Sequence, residues 1–352
     1  MDNSNNYVVI MAGGVGSRFW PMSSENMPKQ FLDIMNTGRS LLQQTVDRFE
    51  GICPKQNIWV VTSARYADLV ARQLPDIPKR NVLLEPCRRN TAPCIAYVSW
   101  SIKTVNPNAN IVVTPSDAFI GNVTRYREAI SQCLKFTSET DSIVTLGIQP
   151  DYPATGYGYI EADLSCASPT NNNIYRVDSF REKPELEVAL RYIRQSNYYW
   201  NAGIFIWNVN TIVNAFRVYQ PEMAAFFDEI KPVLGTPREQ EVINARYAEC
   251  QNISVDYAIM ERADEIYVYP VDMGWSDLGS WSSLHSRLPQ DQHGNATVGA
   301  NIRLFDSNNC IVHTSGLKQV VVQGLDGYIV AERDGVLLVC KISEEQRIKL
   351  FH

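Results

Sequence analysis

Short apolar runs alternate with longer amphipathic ones along the first half of the chain, the signature of strands and crossover helices building a mostly parallel sheet. Tyr7–Met11, Ile58–Thr62, Val82–Leu84, Ile111–Thr114 and Ile143–Gly147 are rich in Val or Ile, as strands covered on both faces should be. Between them, residues 40–49, 64–74, 92–105 and 126–137 carry apolar positions at helical spacing, with Ser63, Thr91 and Thr124 as the expected N-terminal caps. From about residue 155 to 207 the pattern changes. Strand-like runs at 157–161, 174–180 and 203–207 flank one helix over 184–195, which reads as an insertion carrying a binding pocket. Helical sequence returns over 209–261, a further strand is expected at 266–271, and this part of the chain closes near Leu284.

After the polar segment LPQDQHGN (288–295), short strands are separated by turn pairs at Asn308-Asn309, Ser315-Gly316, Asp326-Gly327 and Asp334-Gly335. That spacing suits a small all-β unit, either a hairpin sheet or a few coils of β-helix, and its simplest role is as a packing or dimerisation appendage. The expected architecture is therefore α/β: a Rossmann-like domain with a mixed, mostly parallel sheet over residues 1–287, and a small, β-rich, β-helix-like domain over 288–352. The length of 352 residues fits one large and one small domain.

Composition narrows the function. Hydrophobic residues make up 45% and charged residues 20%, which argues against a disordered, collagen-like or coiled-coil chain. With 32 Lys plus Arg against 38 Asp plus Glu, the chain lacks the basic excess that nonspecific nucleic-acid or membrane-surface binding needs. The start, MDNSNNYVVIMAGG, has neither a basic n-region nor a long apolar run, so a cytoplasmic protein is expected. Eight cysteines without a CxxC pair read as reduced and structural. Four histidines without HxxxH spacing make zinc a poor fit, so any metal is expected on carboxylates, which favours Mg²⁺.

The first strand runs into Ala12-Gly13-Gly14-Val15-Gly16-Ser17-Arg18. Glycines after a strand let backbone N–H groups converge on phosphate oxygens, because no Cβ blocks the approach. No GK[ST] follows, and Phe19 stands where a dinucleotide fingerprint has its third glycine. The longer segment MAGGVGSRFWPMSSENMPKQFL (11–32) resembles the signature of sugar-1-phosphate nucleotidyltransferases, GxGxR followed by Pro-Lys. In its Phe-Trp-Pro and Pro-Lys-Gln-Phe-Leu elements it is most similar to the mannose-1-phosphate guanylyltransferases. Many relatives carry a basic residue in the linker where this chain has Ser24 and Asn26. The resemblance implies a nucleotide-binding loop over Ala12, Gly13, Gly14, Gly16 and Ser17. Attack on an α-phosphorus builds charge on nonbridging oxygens and on the departing pyrophosphate, and Arg18 and Lys29 are the candidates to offset it.

Three further segments extend the resemblance over nearly the whole chain. In LLEPCRRNTAPCIA (83–96), Glu85 is the expected base reader, because a carboxylate accepts from the adjacent N1–H and N2–H₂ of guanine at once. Asn90 and Thr91 are expected beside the base; the alternative for Glu85 is a helix N-terminal acid. Strand 111–114 ends in Pro115-Ser116-Asp117, which puts an acid at the carboxyl edge of a parallel sheet, and a second acid lies in WSDLGSW (275–281). The resemblance implies that Asp117 and Asp277 share Mg²⁺ and that Ser116 lies at the nucleotide, the alternative for either aspartate being a helix N-cap. Where guanylyltransferases commonly have His after the first acid, this chain has Ala118. TGYGYI (155–160), FREKP (180–184) and WNAGIFIW (200–207) supply the expected sugar-phosphate contacts: Gly156, Tyr157, Gly158, Glu182, Lys183 and Asn201.

The resemblance thus implies an Mg²⁺-dependent, GTP-binding transferase of GDP-mannose and nucleotide-sugar metabolism, with GTP and mannose 1-phosphate as substrates and a homodimeric family habit. Two rival readings are a different sugar-1-phosphate nucleotidyltransferase, with another sugar or base, and a noncatalytic GDP-mannose-binding regulator.

Overall fold

The computed structural model describes residues 3–14, 16–168 and 171–351. In chain order its first strands are β1 (Asn6–Ala12), β2 (Ile58–Ser63), β3 (Val82–Glu85), β4 (Asn110–Pro115), β5 (Phe119–Ile120), β6 (Ile143–Ile148), β7 (Tyr159–Ser168), β8 (Asn171–Arg181), β9 (Tyr198–Asn208), β10 (Ile266–Pro270) and β11 (Trp275–Ser276). All but β5 and β11 join one nine-stranded sheet in the order β3-β2-β1-β4-β9-β6-β10-β8-β7. The four strands β3, β2, β1 and β4 are parallel, as their unbroken Val and Ile runs require. Beyond them β9 runs antiparallel to both β4 and β6, so the sheet is mixed.

This sheet belongs to a compact unit made of Met1–Gly13, Val46–Pro115 and Ile120–Trp275. Its core includes the helix Thr91–Val105, which is buried on every face from Ala92 to Ile102 and packs with Phe205, Trp207, Phe216 and Phe227. Asn90, at φ 68°, caps this helix by accepting from Thr91 N, and Asn122 caps the helix Val123–Glu139 through Arg125 N. The expected caps Thr91 and Thr124 are thus displaced by asparagines, Asn90 one residue and Asn122 two residues further out, whose side chains accept from N–H groups of the first turn. Ser63 does cap, accepting from Arg65 N.

The second unit is Gly14–Thr45, Ser116–Phe119 and Ser276–His352. It holds β12 (Ala296–Val298), β13 (Ile302–Phe305), β14 (Ile311–Thr314), β15 (Val320–Gln323), β16 (Tyr328–Arg333) and β17 (Val336–Lys341). Parallel ladders place Ile311 beside Ile329 and Ile302 beside Val320, so one coil takes 18 residues. Of the two arrangements compatible with the turn spacing, β-helix coils therefore form. Their inner column is Val312, Val322 and Val330, with Ile302 and Leu304 packed against it. A single hairpin ends the coils where β17 folds back on β16 through Asp334-Gly335, both at positive φ (52° and 82°), as a two-residue primed turn needs.

The compact units divide the chain differently from 1–287 and 288–352. The outer face of the coils, Ile311, Ile329, Ala331 and Leu338, shares one apolar core with Phe19, Met22, Leu32, Ile34, Leu41, Trp281 and Leu284. Short strands in so small a segment cannot bury both of their faces alone, and the glycine-loop segment covers one of them. Ile329 is fully buried in this core. Ile329→Ala is expected to lower stability by about 2–5 kcal/mol, the cost of a core cavity, read as a lowered thermal midpoint.

Candidate active site

Within the second unit the glycine loop and the two aspartate segments meet on one ammonium group. Gly16 sits at φ 67°, and a Cβ there would lie 2.6 Å from Lys29 Cβ, so only glycine admits this approach. Lys29 is 3% exposed and all three of its protons are accepted: by Asp117 Oδ2 at 2.9 Å, by Asp277 O at 2.9 Å and by Leu278 O at 2.9 Å. Gln30 donates to Gly14 O at 2.9 Å, which holds the loop from the same short turn. The Asp277 side chain accepts from Gly279 N at 2.9 Å, and Leu278 is held at φ 44°, a left-handed conformation that costs energy for a residue with a Cβ. Ser280, not Asp277, caps the following helix, through a capping box with Ser283. Arg18 is exposed and reaches Gly279 O at 3.4 Å. Ser116 is buried and its carbonyl accepts from Thr45 Oγ1 at 3.3 Å. Val15 lies outside the described residues.

The expected base-reading residues lie in the first unit. Ala12 O accepts from Thr62 Oγ1 at 2.8 Å, which fixes the end of β1, and a Cβ on Gly13 would sit 3.6 Å from Glu85 Oε2. Glu85 ends β3, is 8% exposed, and accepts from the Tyr247 hydroxyl at Oε1. Burial pushes its carboxyl up to about 7, while the Tyr247 hydrogen bond pulls it down. Thr91 Oγ1 accepts from Val255 N at 2.8 Å, and Asn90 is exposed.

The third group, also in the first unit, is built around β9. The WNAG segment is strand rather than turn: Asn201 N donates to Gly158 O at 2.8 Å, and Gly203 at φ 69° takes up the irregularity. The Asn201 amide is locked, its Oδ1 accepting from Thr145 Oγ1 at 3.0 Å and from Gly203 N at 3.1 Å, its Nδ2 donating to Asp256 Oδ1 at 3.0 Å. A Cβ on Gly158 would lie 2.6 Å from Glu182 Oε2, so that glycine clears room for the carboxylate. Glu182 pairs with Lys183 Nζ at 2.7 Å, and Lys183 stands at φ 44°. Tyr157 lies edge-on to Trp200 and to Trp275, with centroids 5.1 and 5.3 Å apart, and Gly156 faces open space.

Comparison with known proteins gives the family. Residues 7–293 match the family model described as nucleotidyl transferase. The chain belongs to that family. It is 35% identical over 360 residues to the mannose-1-phosphate guanylyltransferase of Escherichia coli K12, covering 98% of this chain and 74% of that protein. It is 33% identical over 344 residues to the mannose-1-phosphate guanylyltransferase of Klebsiella pneumoniae, covering 97% and 72%. Among solved structures it is similar to one described as mannose-1-phosphate geranyltransferase from Thermus thermophilus, with TM-score 0.87, 29% identity, and 99% and 98% of the two chains covered. A UDP-glucose pyrophosphorylase, at TM-score 0.51 and 14% identity, shares the fold.

Nucleotidyltransferases of this family generally use a divalent metal, and the acids present fit a hard cation. Among the described residues no cluster of three His, Cys, Asp or Glu forms a dedicated cage. Two aspartates held to one buried ammonium suit an ion that takes one or two carboxylates and completes its shell with phosphate oxygens and water. Also among the described residues, no helix is long and apolar enough to cross a membrane.

Two side chains that hold candidate site residues escaped the sequence reading of this nucleotidyltransferase, Tyr247 on Glu85 and Asp256 on Asn201. Asp256 opens the one-turn π-helix Asp256–Met260, and in SVDYAIM it reads as an ordinary acid at a helix start. Desolvation pushes its carboxyl up to about 6, with the Glu182 carboxylate adding to the effect. A carboxyl raised in the folded state keeps a proton that the unfolded chain has lost between the ordinary 3.8 and about 6, so stability falls as pH rises through that window. Asp256→Asn is therefore expected to raise the thermal midpoint at pH 7 and to leave it nearly unchanged near pH 4, measured by melting curves at both values.

Proposed function

We propose that this enzyme transfers GMP from GTP to α-D-mannose 1-phosphate, giving GDP-mannose and pyrophosphate, with Mg²⁺ as the cation and the cytoplasm as its place of action. The observation that carries the reading is the buried Lys29 ammonium, which fixes Asp117 and the Asp277 turn together beside Arg18. The similarity to mannose-1-phosphate guanylyltransferases at 33–35% identity over nearly the full chain supports the choice of sugar and base.

An oxygen of the sugar phosphate attacks the α-phosphorus in line. The new P–O bond forms as the bond from the α-phosphorus to the bridging oxygen breaks, and that oxygen's electron pair leaves with pyrophosphate. The attacking phosphate is ionised at neutral pH, so no general base is required, in keeping with the absence of histidine from the motifs. Asp117 and Asp277 hold the cation, which when bound supplies charge neutralisation at the phosphates. Arg18 offsets charge on the triphosphate from the loop of Gly14, Gly16 and Ser17, and the Gly13 N–H lies at the loop entry. Lys29 acts from beneath, because its protons are already taken: it sets the two aspartates rather than touching phosphate. Glu85 reads the guanine edge, with Asn90 and Thr91 shaping the approach and Ser116 lying at the nucleotide. Glu182 accepts from mannose hydroxyls, Lys183 meets the sugar phosphate, and Asn201, with one Nδ2 proton still to donate, meets a hydroxyl oxygen. Gly156, Tyr157 and Gly158 form the wall.

Pyrophosphate release with Mg²⁺ is measured for GTP, UTP, dTTP and ATP, each against mannose 1-phosphate and glucose 1-phosphate. The expected result is strong preference for GTP with mannose 1-phosphate. Turnover with another pair overturns the specificity, and silence across the panel with GDP-mannose still bound points to a regulator. Asp277→Ala keeps the main-chain carbonyl that Lys29 uses and is expected to lower kcat by at least about 100-fold, the scale of losing one transition-state electrostatic group, with the fold retained by circular dichroism.

A further inference from the structure

The segment 239–255 backs the base-reading loop. Gln240 donates through Nε2 to Leu84 O at 3.0 Å, Val255 N donates to Thr91 Oγ1 at 2.8 Å, and Ala92 N donates to Ile253 O at 3.1 Å. In the middle of this wall stands Tyr247, fully buried and packed against Tyr97 at 6.2 Å between ring centroids. Its hydroxyl donates to Glu85 Oε1, while Glu85 Oε2 lies towards Gly13 at the loop entry. No step of the reaction uses Tyr247, yet its only polar side-chain atom is spent on the residue that reads the base.

We propose that Tyr247 is a specificity-determining positioning residue, whose O–H holds Glu85 as an ionised acceptor for the paired N–H donors of a guanine-type base. This rests on the reading of Glu85 given above. The physical reason lies in the two forms of a carboxyl group. Ionised, it accepts at both oxygens and matches two adjacent donors; protonated, it offers one donor and one acceptor and mismatches one of them. Burial favours the protonated form, and Glu85 stands at about 7, so its state is balanced at neutral pH. The other titratable groups facing it are Cys94 and Tyr97. Burial raises both of them, so both stay neutral and neither supplies a positive charge. The Tyr247 hydrogen bond is what tips the balance towards the carboxylate, and it fixes the plane of the group as well.

Tyr247→Phe removes one hydroxyl and keeps the ring. Its expected effect is a rise of about tenfold or more in KM for GTP, the scale of a lost hydrogen bond to a charged group, with KM for the sugar phosphate unchanged. The acid limb of kcat/KM for GTP moves to higher pH in this variant. Replacing Tyr247 by 3-fluorotyrosine, a stronger donor of the same shape, moves the limb to lower pH. In ligand-free protein carrying ¹³C-carboxyl glutamate, the Glu85 signal, assigned by its loss in Glu85→Gln, titrates at higher pH in Tyr247→Phe than in wild type. An unmoved limb with unchanged KM for GTP overturns the proposal, and so does a Glu85 titration that does not move. A wild-type enzyme without preference for GTP overturns the guanine reading instead, and the ligand-free titration still decides whether Tyr247 controls the charge of Glu85.

Discussion

A buried ammonium must have every proton accepted, and the demands of Lys29 organise the proposed active-site loops of this chain. One proton goes to a side chain, Asp117; the other two go to successive main-chain carbonyls, Asp277 and Leu278. Two neighbouring carbonyls can converge on one donor only if the backbone turns sharply between them, and Leu278 at φ 44° is that turn. The conformation is uphill for leucine, yet Leu278 is fully buried in the core formed with Phe19, Trp281 and the β-helix coils, so packing holds it there. The turn leaves the Asp277 carboxylate on its own amide partner, Gly279 N. The pair proposed to hold the cation thus depends on a lysine whose three protons are accepted by Asp117, Asp277 and Leu278.

That dependence explains why the glycine loop and the C-terminal coils share one core. The loop is short and glycine-rich, and its conformation has little intrinsic preference. Gly16 brings the loop against Lys29, Gln30 ties Gly14 from the next residue, and Phe19, Met22 and Leu32 anchor the loop's continuation on Ile311, Ile329 and Trp281. The β-helix coils supply one side of the core on which the glycine-loop segment packs, a more specific role than the packing appendage that the turn spacing suggests.

Much of this was legible in the sequence, and the limits have physical causes. The parallel strands β1 to β4 declare themselves because both of their faces are covered and their Val and Ile runs are unbroken. β7 and β8 are longer than their patterns imply, since largely exposed residues at one end extend a ladder through backbone bonds that leave no mark in composition, while β9 begins earlier, at the buried aromatics Tyr198, Tyr199 and Trp200. Asn201 was legible as a chemical group but not as part of the strand expected at 203–207, because Asn-Ala-Gly has turn composition while its N–H is paired to Gly158 within a strand that begins at Tyr198. The loop acids and cations were legible through motif order. Their supports were not. Tyr247 lies 162 positions from Glu85 and Asp256 lies 55 from Asn201, each in helical sequence where a tyrosine or an acid has an ordinary core or helix-start reading.

The supports share a logic with Lys29. Glu85 and Asn201 are polar side chains in partly dry surroundings, where an unrestrained carboxyl or amide would choose between protonation states or between two flipped orientations. A second polar group removes that choice: Tyr247 for Glu85, and Thr145 with Asp256 for Asn201. The added groups are themselves desolvated, and Asp256 carries the cost as a raised carboxyl beside Glu182. A fold selected for stability alone would place an apolar residue at each of these positions. That both of these groups are backed in this way, as Asp117 is by Lys29, argues that the chain keeps its proposed acceptors and donors fixed in advance of ligand, so that binding energy goes to discrimination between ligands rather than to ordering the protein.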